Sequence, residues 1–236
     1  MNRRRAVVSW SSGKDAAWAL HLVRQRPDLE VVGLLTSINA EFRRVSMHGV
    51  RQELLEMQAA AAGLPLRIVE LPWPCPNEEY ERRMAAACAA LRAGGVEVVV
   101  FGDIFLADVR AYRERQLAGT GLEPLFPLWG ADSQKLASEM LGNGVRARIA
   151  CLDPARIDRR LAGHEWGREA LMSLPDGVDP CGENGEFHTF VLEAPVFRHP
   201  IRVTAGEIVE RGGFVYADLL PESLGVGCYN GGRAGP

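Results

Sequence analysis

An apolar run, Ala6-Val7-Val8-Ser9-Trp10, meets a tight polar turn, Ser11-Ser12-Gly13-Lys14-Asp15, which opens into the helix-like Ala16-Ala17-Trp18-Ala19-Leu20. Strand, turn and helix in direct succession point to the β-α-β unit of a parallel sheet. The turn also has a chemical bias. Backbone N–H groups at a helix N-terminus point into it, and the helix dipole favours an anion there. Lys14 sharpens that bias, because only Lys14 and Lys135 among the 27 basic residues are lysines. A slim ammonium reaches a phosphate as a point charge where a planar guanidinium fits less well. The alternative is an ordinary cap, with Ser11 or Ser12 closing the helix and Lys14-Asp15 as a solvated first turn.

The alternation continues along the chain. Val31-Val32-Gly33-Leu34-Leu35-Thr36 reads as a buried strand, Val50, Leu54, Met57 and Ala61 fall at helical spacing, and Leu66–Leu71 reads as a third strand. Tyr80, Met84, Ala87, Cys88 and Leu91 mark one face of a helix that Gly94-Gly95 ends. Val96–Phe101 reads as a strand covered on both faces. Helical patterns follow at about 107–118 and 132–142, and Val145–Ile149 alternates like a strand. This order predicts an α/β fold with a doubly wound parallel sheet. The pattern changes after about residue 173, where Pro, Gly and Asp dominate as far as Gly185. Strand-like stretches follow at 189–192 and 201–204, and Gly212-Gly213 predicts a hairpin turn before Phe214–Ala217. A chain of 236 residues has room for one α/β domain with a small appendage.

Composition excludes several function classes. A net charge of −3 gives no overall field for nucleic acid, and no apolar stretch approaches the length of a membrane span. Arg3-Arg4-Arg5 lacks the apolar stretch that follows in a signal peptide. The five cysteines are scattered without a C-x-x-C pair, which suggests neither a zinc ribbon nor an iron–sulfur site and fits reduced thiols in a cytoplasm. A homodimer is compatible with all of this.

Ligands of open α/β sheets bind beyond the C-terminal ends of the strands. Three polar clusters fall at such ends: Ser11–Asp15, Thr36-Ser37 and Gly102-Asp103. Thr36-Ser37 suits either backbone contacts to a nucleoside or plain turn chemistry. A fourth cluster, Asp179–Thr189, crowds carboxylates, an amide, an imidazole and a hydroxyl into a glycine-punctuated loop. Loops of that kind commonly hold ligands, though a surface turn with solvated acids has the same composition.

The first turn has neither the G-x-x-x-x-G-K-[ST] nor the G-x-G-x-x-G spacing. It resembles the PP-loop, S-G-G-K-D-S, of ATP pyrophosphatases that adenylate their substrates. Here it reads Ser11-Ser12-Gly13-Lys14-Asp15-Ala16, with Ser12 in place of a glycine and Ala16 in place of the final serine. Together with Gly182-Glu183-Asn184-Gly185-Glu186-Phe187-His188-Thr189, it resembles the diphthine–ammonia ligase family over about residues 6–220. Ser46–Arg51 is similar to the bacterial branch, and Gly102-Asp103-Ile104, Arg113-Glu114-Arg115 and Pro127-Leu128-Trp129 follow the family's layout.

The resemblance implies a HUP-type PP-loop ATP-binding domain over 1–130. A small C-terminal substrate-binding subdomain containing β-strands is implied over 131–222, and the glycine-rich tail 223–236 is expected to be disordered. The implied reaction is ATP-dependent amidation. A carboxylate is adenylated, AMP and pyrophosphate are released, and ammonia or an amine takes the acyl group. ATP contacts are implied at Ser11, Ser12, Gly13, Lys14, Asp15, Thr36 and Gly102, with Mg²⁺ at Asp15 and Asp103. Catalytic roles are implied for Lys14, Asp15, Asp103, Glu183 and Glu186. Substrate contacts are implied at Gly182, Glu183, Asn184, Glu186, His188 and Thr189. The arginine bias suits a GC-rich bacterial genome, whereas diphthine belongs to archaeal and eukaryotic elongation factor. A different carboxylate, a small molecule or protein-borne, is therefore expected. Two alternatives stay open. A tRNA-modifying PP-loop enzyme would call for a basic face or an RNA-binding domain. A non-catalytic adenine-nucleotide-binding protein would account for Ala16.

Overall fold

β1 (Arg4–Ser9) buries Ala6, Val7 and Val8, and its neighbours on both sides explain why. It runs parallel to β2 (Leu29–Asn39) on one edge and to β5 (Val98–Val100) on the other. A central strand covered on both faces has no use for polar alternation. The computed structural model describes residues 3–45 and 47–222. β4 (Leu66–Leu71) extends the sheet in parallel beyond β2, β6 (Glu123–Leu125) does so beyond β5, and the short β3 (Arg44–Val45) pairs antiparallel with the end of β2. Ala6 and Val8 face one core with α1 (Lys14–Arg24) and α2 (Gln52–Ala62), as Trp18, Leu20, Leu54 and Leu55 show. Val7 faces a second core with α3 (Asn77–Ala93) and the end of α4 (Ala107–Leu117), through Ala87, Cys88, Leu91 and Leu117. Helices on both faces make the sheet doubly wound, as the apolar pattern predicts.

Three sequence expectations need correction. Thr36 and Ser37 do not follow the second strand. β2 continues through them to Asn39, where β4 pairs with it as far as Leu71. The alternating Val145–Ile149 stretch does form a strand, β7 (Arg146–Leu152), but outside the parallel sheet. It is central to a second, antiparallel sheet, with β8 (Glu165–Trp166), β9 (Phe187–Glu193) and β11 (Phe214–Pro221) as partners. The edge of the parallel sheet goes instead to β6, whose Pro124 hides it from a strand search and is tolerated because the position is peripheral. Finally, the strand expected at 201–204 runs longer, as β10 (Val203–Arg211), which pairs with β11 across the predicted Gly212-Gly213 turn. Both of those glycines have positive φ.

α5 (Ser133–Gly142) and the short α6 (Arg168–Met172) complete the chain. Ala147, Ile149, Phe190, Val191 and Val215 share the core that holds Trp18 and Leu20, so the second sheet packs into the α1 side of the first. Among the described residues no helix is long and apolar enough to cross a membrane. Cys75, Cys88, Cys151 and Cys181 are free thiols. Cys228 and the tail 223–236 lie outside the described residues.

Candidate active site

The turn after β1 is held from two directions. Ser12 adopts φ 75°, which explains why the PP-loop pattern has a glycine there. Its carbonyl accepts from Val191 N at 3.0 Å and from Gln58 Nε2 at 3.2 Å. Gln58 is 0% exposed and also donates to the Val191 carbonyl at 2.7 Å, while its Oε1 accepts from Trp10 Nε1 at 2.9 Å. Helical spacing placed Met57 on the buried face of α2, but the fully buried neighbour is Gln58, which an apolar pattern cannot reveal.

Neither serine caps α1. Gly13 is the N-cap residue, Ser11 Oγ accepts from Gly13 N at 3.3 Å, and the Lys14 amide donates to Thr189 Oγ1 of β9 at 3.1 Å. A strand almost the whole chain away thus performs the capping role. Lys14 is equally tied to the second sheet. Its ammonium, 2% exposed, donates to Asp15 Oδ2 at 2.9 Å and to the Cys181 carbonyl, and lies 5.4 and 5.5 Å from the ring centres of Trp166 and Phe187. Burial alone would lower its pKa, but Asp15 and its neighbours hold it above the ordinary value, so the group is charged. Burial pushes the adjacent Cys181 thiol up to about 12, which leaves it unreactive at neutral pH.

The loop Asp179–Thr189 divides by direction. The Asp179 carboxylate accepts from Cys181 N at 3.3 Å and Glu183 N at 2.9 Å. Glu186, 0% exposed, accepts from Asp179 N at 3.2 Å and Asn184 Nδ2 at 3.1 Å and pairs with Arg156 at 3.2 Å. Glu186 and Asn184 therefore brace the loop from behind. Gly182, Glu183, His188 and Thr189 face the cleft and share it with Ser11, Gly13, Lys14 and Asp15. Glu183 Oε1 accepts from Ile104 N at 2.7 Å and Phe105 N at 3.3 Å, which ties the loop to the Gly102-Asp103 segment. Burial pushes its carboxyl up to about 7, against the pull of those two amides. Gly102 is needed for close approach, since a Cβ there would sit 2.9 Å from the Asp15 carbonyl carbon.

The cleft has two lobes. The polar lobe measures about 230 Å³ and contains the turn, Gly102, Asp103 and Glu183. A larger lobe of about 850 Å³ runs past Thr36 and Ser37 to Tyr80, Met84 and Tyr112. Arg113, His48 and His188 line both. The two imidazoles stack with centres 4.5 Å apart. Desolvation lowers both, His48 well below the ordinary value and His188 to about 4, so the pair is neutral at pH 7.

Asp15 Oδ1 and Asp103 Oδ2 are buried and have no hydrogen-bond partner among the described residues. Burial holds both carboxyls above their ordinary value. No group of three or more His, Cys, Asp or Glu residues able to hold a metal occurs among the described residues. Two uncommitted carboxylate oxygens in one polar lobe nevertheless suit Mg²⁺, which takes one or two carboxylates and completes its shell with water and substrate phosphates.

The chain matches the diphthamide synthase N-terminal domain over residues 4–124 and the diphthamide synthase C-terminal domain over residues 132–218. It belongs to the diphthamide synthase family. A Danio rerio protein named diphthine–ammonia ligase is 36% identical over 176 residues, which is 68% of this chain and 69% of that protein. The Bos taurus protein of the same name is 31% identical over 153 residues, 61% of this chain and 56% of that protein. The Schizosaccharomyces pombe one is 31% identical over 119 residues, 49% of this chain but 20% of that protein. The chain thus spans between a fifth and about two thirds of the length of these relatives. Its cleft draws on both matched segments: the PP-loop, Asp103 and Arg113 from the first, Gly182–Thr189 from the second.

Proposed function

We propose that this protein is an ATP-dependent amide-forming ligase. A substrate carboxylate attacks the α-phosphorus of ATP and the bond to pyrophosphate breaks. Ammonia then attacks the acyl carbon and the bond to AMP breaks. A carboxylate does not react with an amine at neutral pH without such a leaving group, and relatives named diphthine–ammonia ligase support ammonia as the amine. The observation that carries the reading is the meeting of the PP-loop and the Gly182–Thr189 loop in one cleft beside two uncommitted carboxylate oxygens.

The chain's own residues divide the work. The first turn of α1 receives the phosphates, with Thr189 and β9 keeping the turn in shape. Asp15 and Asp103 would hold Mg²⁺, whose contribution is to neutralise phosphate charge. Thr36 and Ser37, on the wall of the larger lobe, suit the nucleoside. Glu183, a carboxyl poised near neutrality at the lobe's edge, is the proton acceptor for the incoming amine. Glu186 and Asn184 act by holding the loop rather than by touching substrate. Residues 1–130 then bind ATP and residues 131–222 supply the acceptor side, with a carboxylate other than diphthine as the substrate.

The test is nucleotide analysis after incubation with ATP, Mg²⁺, ammonium and a panel of carboxylates. AMP and pyrophosphate are expected, and Asp103→Asn should suppress both. ADP as the main product would mean γ-phosphate chemistry and would overturn the reading.

A further inference from the structure

Lys14 and Arg113, the two cations lining the polar lobe, stand in opposite conditions. Lys14 is spent on the protein: its ammonium is bonded to Asp15 and to the Cys181 carbonyl and flanked by two aromatic rings. Reaching a ligand would mean leaving a buried pairing, which is costly. Arg113, on α4, is held only by a long ion pair to Asp103. Its guanidinium lies over the Phe101 ring, 5.1 Å from the centre, which sets its plane. Its Nε is buried and has no hydrogen-bond partner among the described residues. Asp103 Oδ2 approaches that Nε only to 3.8 Å, beyond hydrogen-bond range, and is itself without a hydrogen-bond partner among the described residues. Donor and acceptor thus form a loose ion pair on the wall of the polar lobe, and neither atom has its hydrogen bond.

A bare anion in the lobe beside this pair would satisfy Arg113 and repel Asp103. A bare cation would do the reverse. A phosphate carrying a divalent cation satisfies both at once, its oxygen accepting from the guanidinium and its metal taking the carboxylate oxygen. Position narrows the choice further. Arg113 lines both lobes, so a nucleotide with its nucleoside in the larger lobe and its outer phosphates in the polar lobe brings its α-phosphate to this seam.

We infer that Arg113 is a catalytic residue that binds the reacting α-phosphate of metal-bound ATP. The assignment rests on the ATP reading above. A guanidinium fork there meets the negative charge that grows on the phosphorus oxygens as the carboxylate attacks. Lys14 then serves to lock the PP-loop to the acidic loop.

The experiment is calorimetric titration of the parent, Arg113→Gln and Arg113→Lys with adenosine and with the α,β-methylene analogue of ATP in Mg²⁺. Thermal melts check folding. Arg113→Gln should weaken the analogue about tenfold or more, the loss of a charge-assisted contact. Adenosine should be unaffected. Arg113→Lys keeps the charge without the fork and should fall between. It also carries the test if the Gln variant fails to fold. If the parent binds neither ligand, the ATP reading fails and takes this inference with it. If the parent binds the analogue and both variants match it, only the inference is overturned. It is overturned equally if adenosine and the analogue weaken alike, because Arg113 would then merely shape the cleft.

Discussion

Ser12→Gly should make this protein more stable, although it removes a side chain from a fully buried site. Ser12 is 0% exposed, its φ is 75°, and its hydroxyl has no hydrogen-bond partner among the described residues. The left-handed backbone costs a non-glycine residue about 1–2 kcal/mol. A buried hydroxyl without a partner costs about 1–3 kcal/mol. Against these, glycine loses more freedom on folding, about 0.5–1 kcal/mol. The net expectation is a gain of about 2–3 kcal/mol, or roughly 4–12 °C in Tm for a chain of this size. The bonds to the Ser12 carbonyl are backbone features and survive the change. Ser12→Ala separates the two contributions, since it removes the hydroxyl and keeps the strained φ. Thermal and urea melts of the three proteins should rank them Gly above Ala above Ser. A glycine variant no more stable than the parent would refute the whole argument. An alanine variant equal to glycine would refute the backbone part.

Glu183→Gln keeps an acceptor for the Ile104 and Phe105 amides but removes the ionisable group. Because the folded carboxyl sits near 7 rather than 4.5, its favourable contribution is complete below the unfolded value and is lost as pH rises through the folded one. The variant should therefore gain Tm over the parent at pH 8 but not at pH 4.5, and a constant difference across that window would contradict the assignment. Gln58→Leu strands Trp10 Nε1 in the core and removes one donor each from the Ser12 and Val191 carbonyls, so it should cost about 1–3 kcal/mol in urea unfolding, the cost of an unsatisfied buried group; a cost below about 1 kcal/mol would show the network to be dispensable. Gly102→Ala sets a Cβ against backbone of the PP-loop, so it should push the Asp103 segment away, lower stability by about 1–3 kcal/mol and weaken binding of the methylene analogue of ATP, and unchanged affinity would mean that the close approach is incidental.

What could be read in the chain was whatever chemistry and geometry are local. β1, the turn and α1 are contiguous, α3 shows its face through Met84, Cys88 and Leu91, and Gly212-Gly213 can only be a turn with positive φ. The clusters Ser11–Asp15, Gly102-Asp103 and Gly182–Thr189 could be picked out by residue type. Partner choice was not local. β7 has a strand's alternation in either sheet, and only the pairing of Ile149 with Thr189 and of Cys151 with Tyr216 decides between them. Direction was not local either. Glu183 and Glu186 are three residues apart with the same chemistry, yet one meets Ile104 across the cleft and the other meets Arg156 behind it. Lys14 was legible as special, but its commitment to the Cys181 carbonyl depends on a contact 167 residues away.

β9's hold on the PP-loop has a consequence for any attempt to divide this protein. Expression of the stretch before residue 131 alone would not liberate a small nucleotide receptor. It would leave the first amide of α1 without Thr189, the Ser12 carbonyl without Val191, and a buried ammonium without Cys181. These bonds predict that the two halves unfold together. A ligand that steadies the Gly182–Thr189 loop is then expected to alter affinity at the phosphate turn, and any such change is matched by the same factor in the other direction. Order of addition in a binding experiment would then change the path but not the total, and the saturated complex would withstand proteolysis better than either singly liganded form.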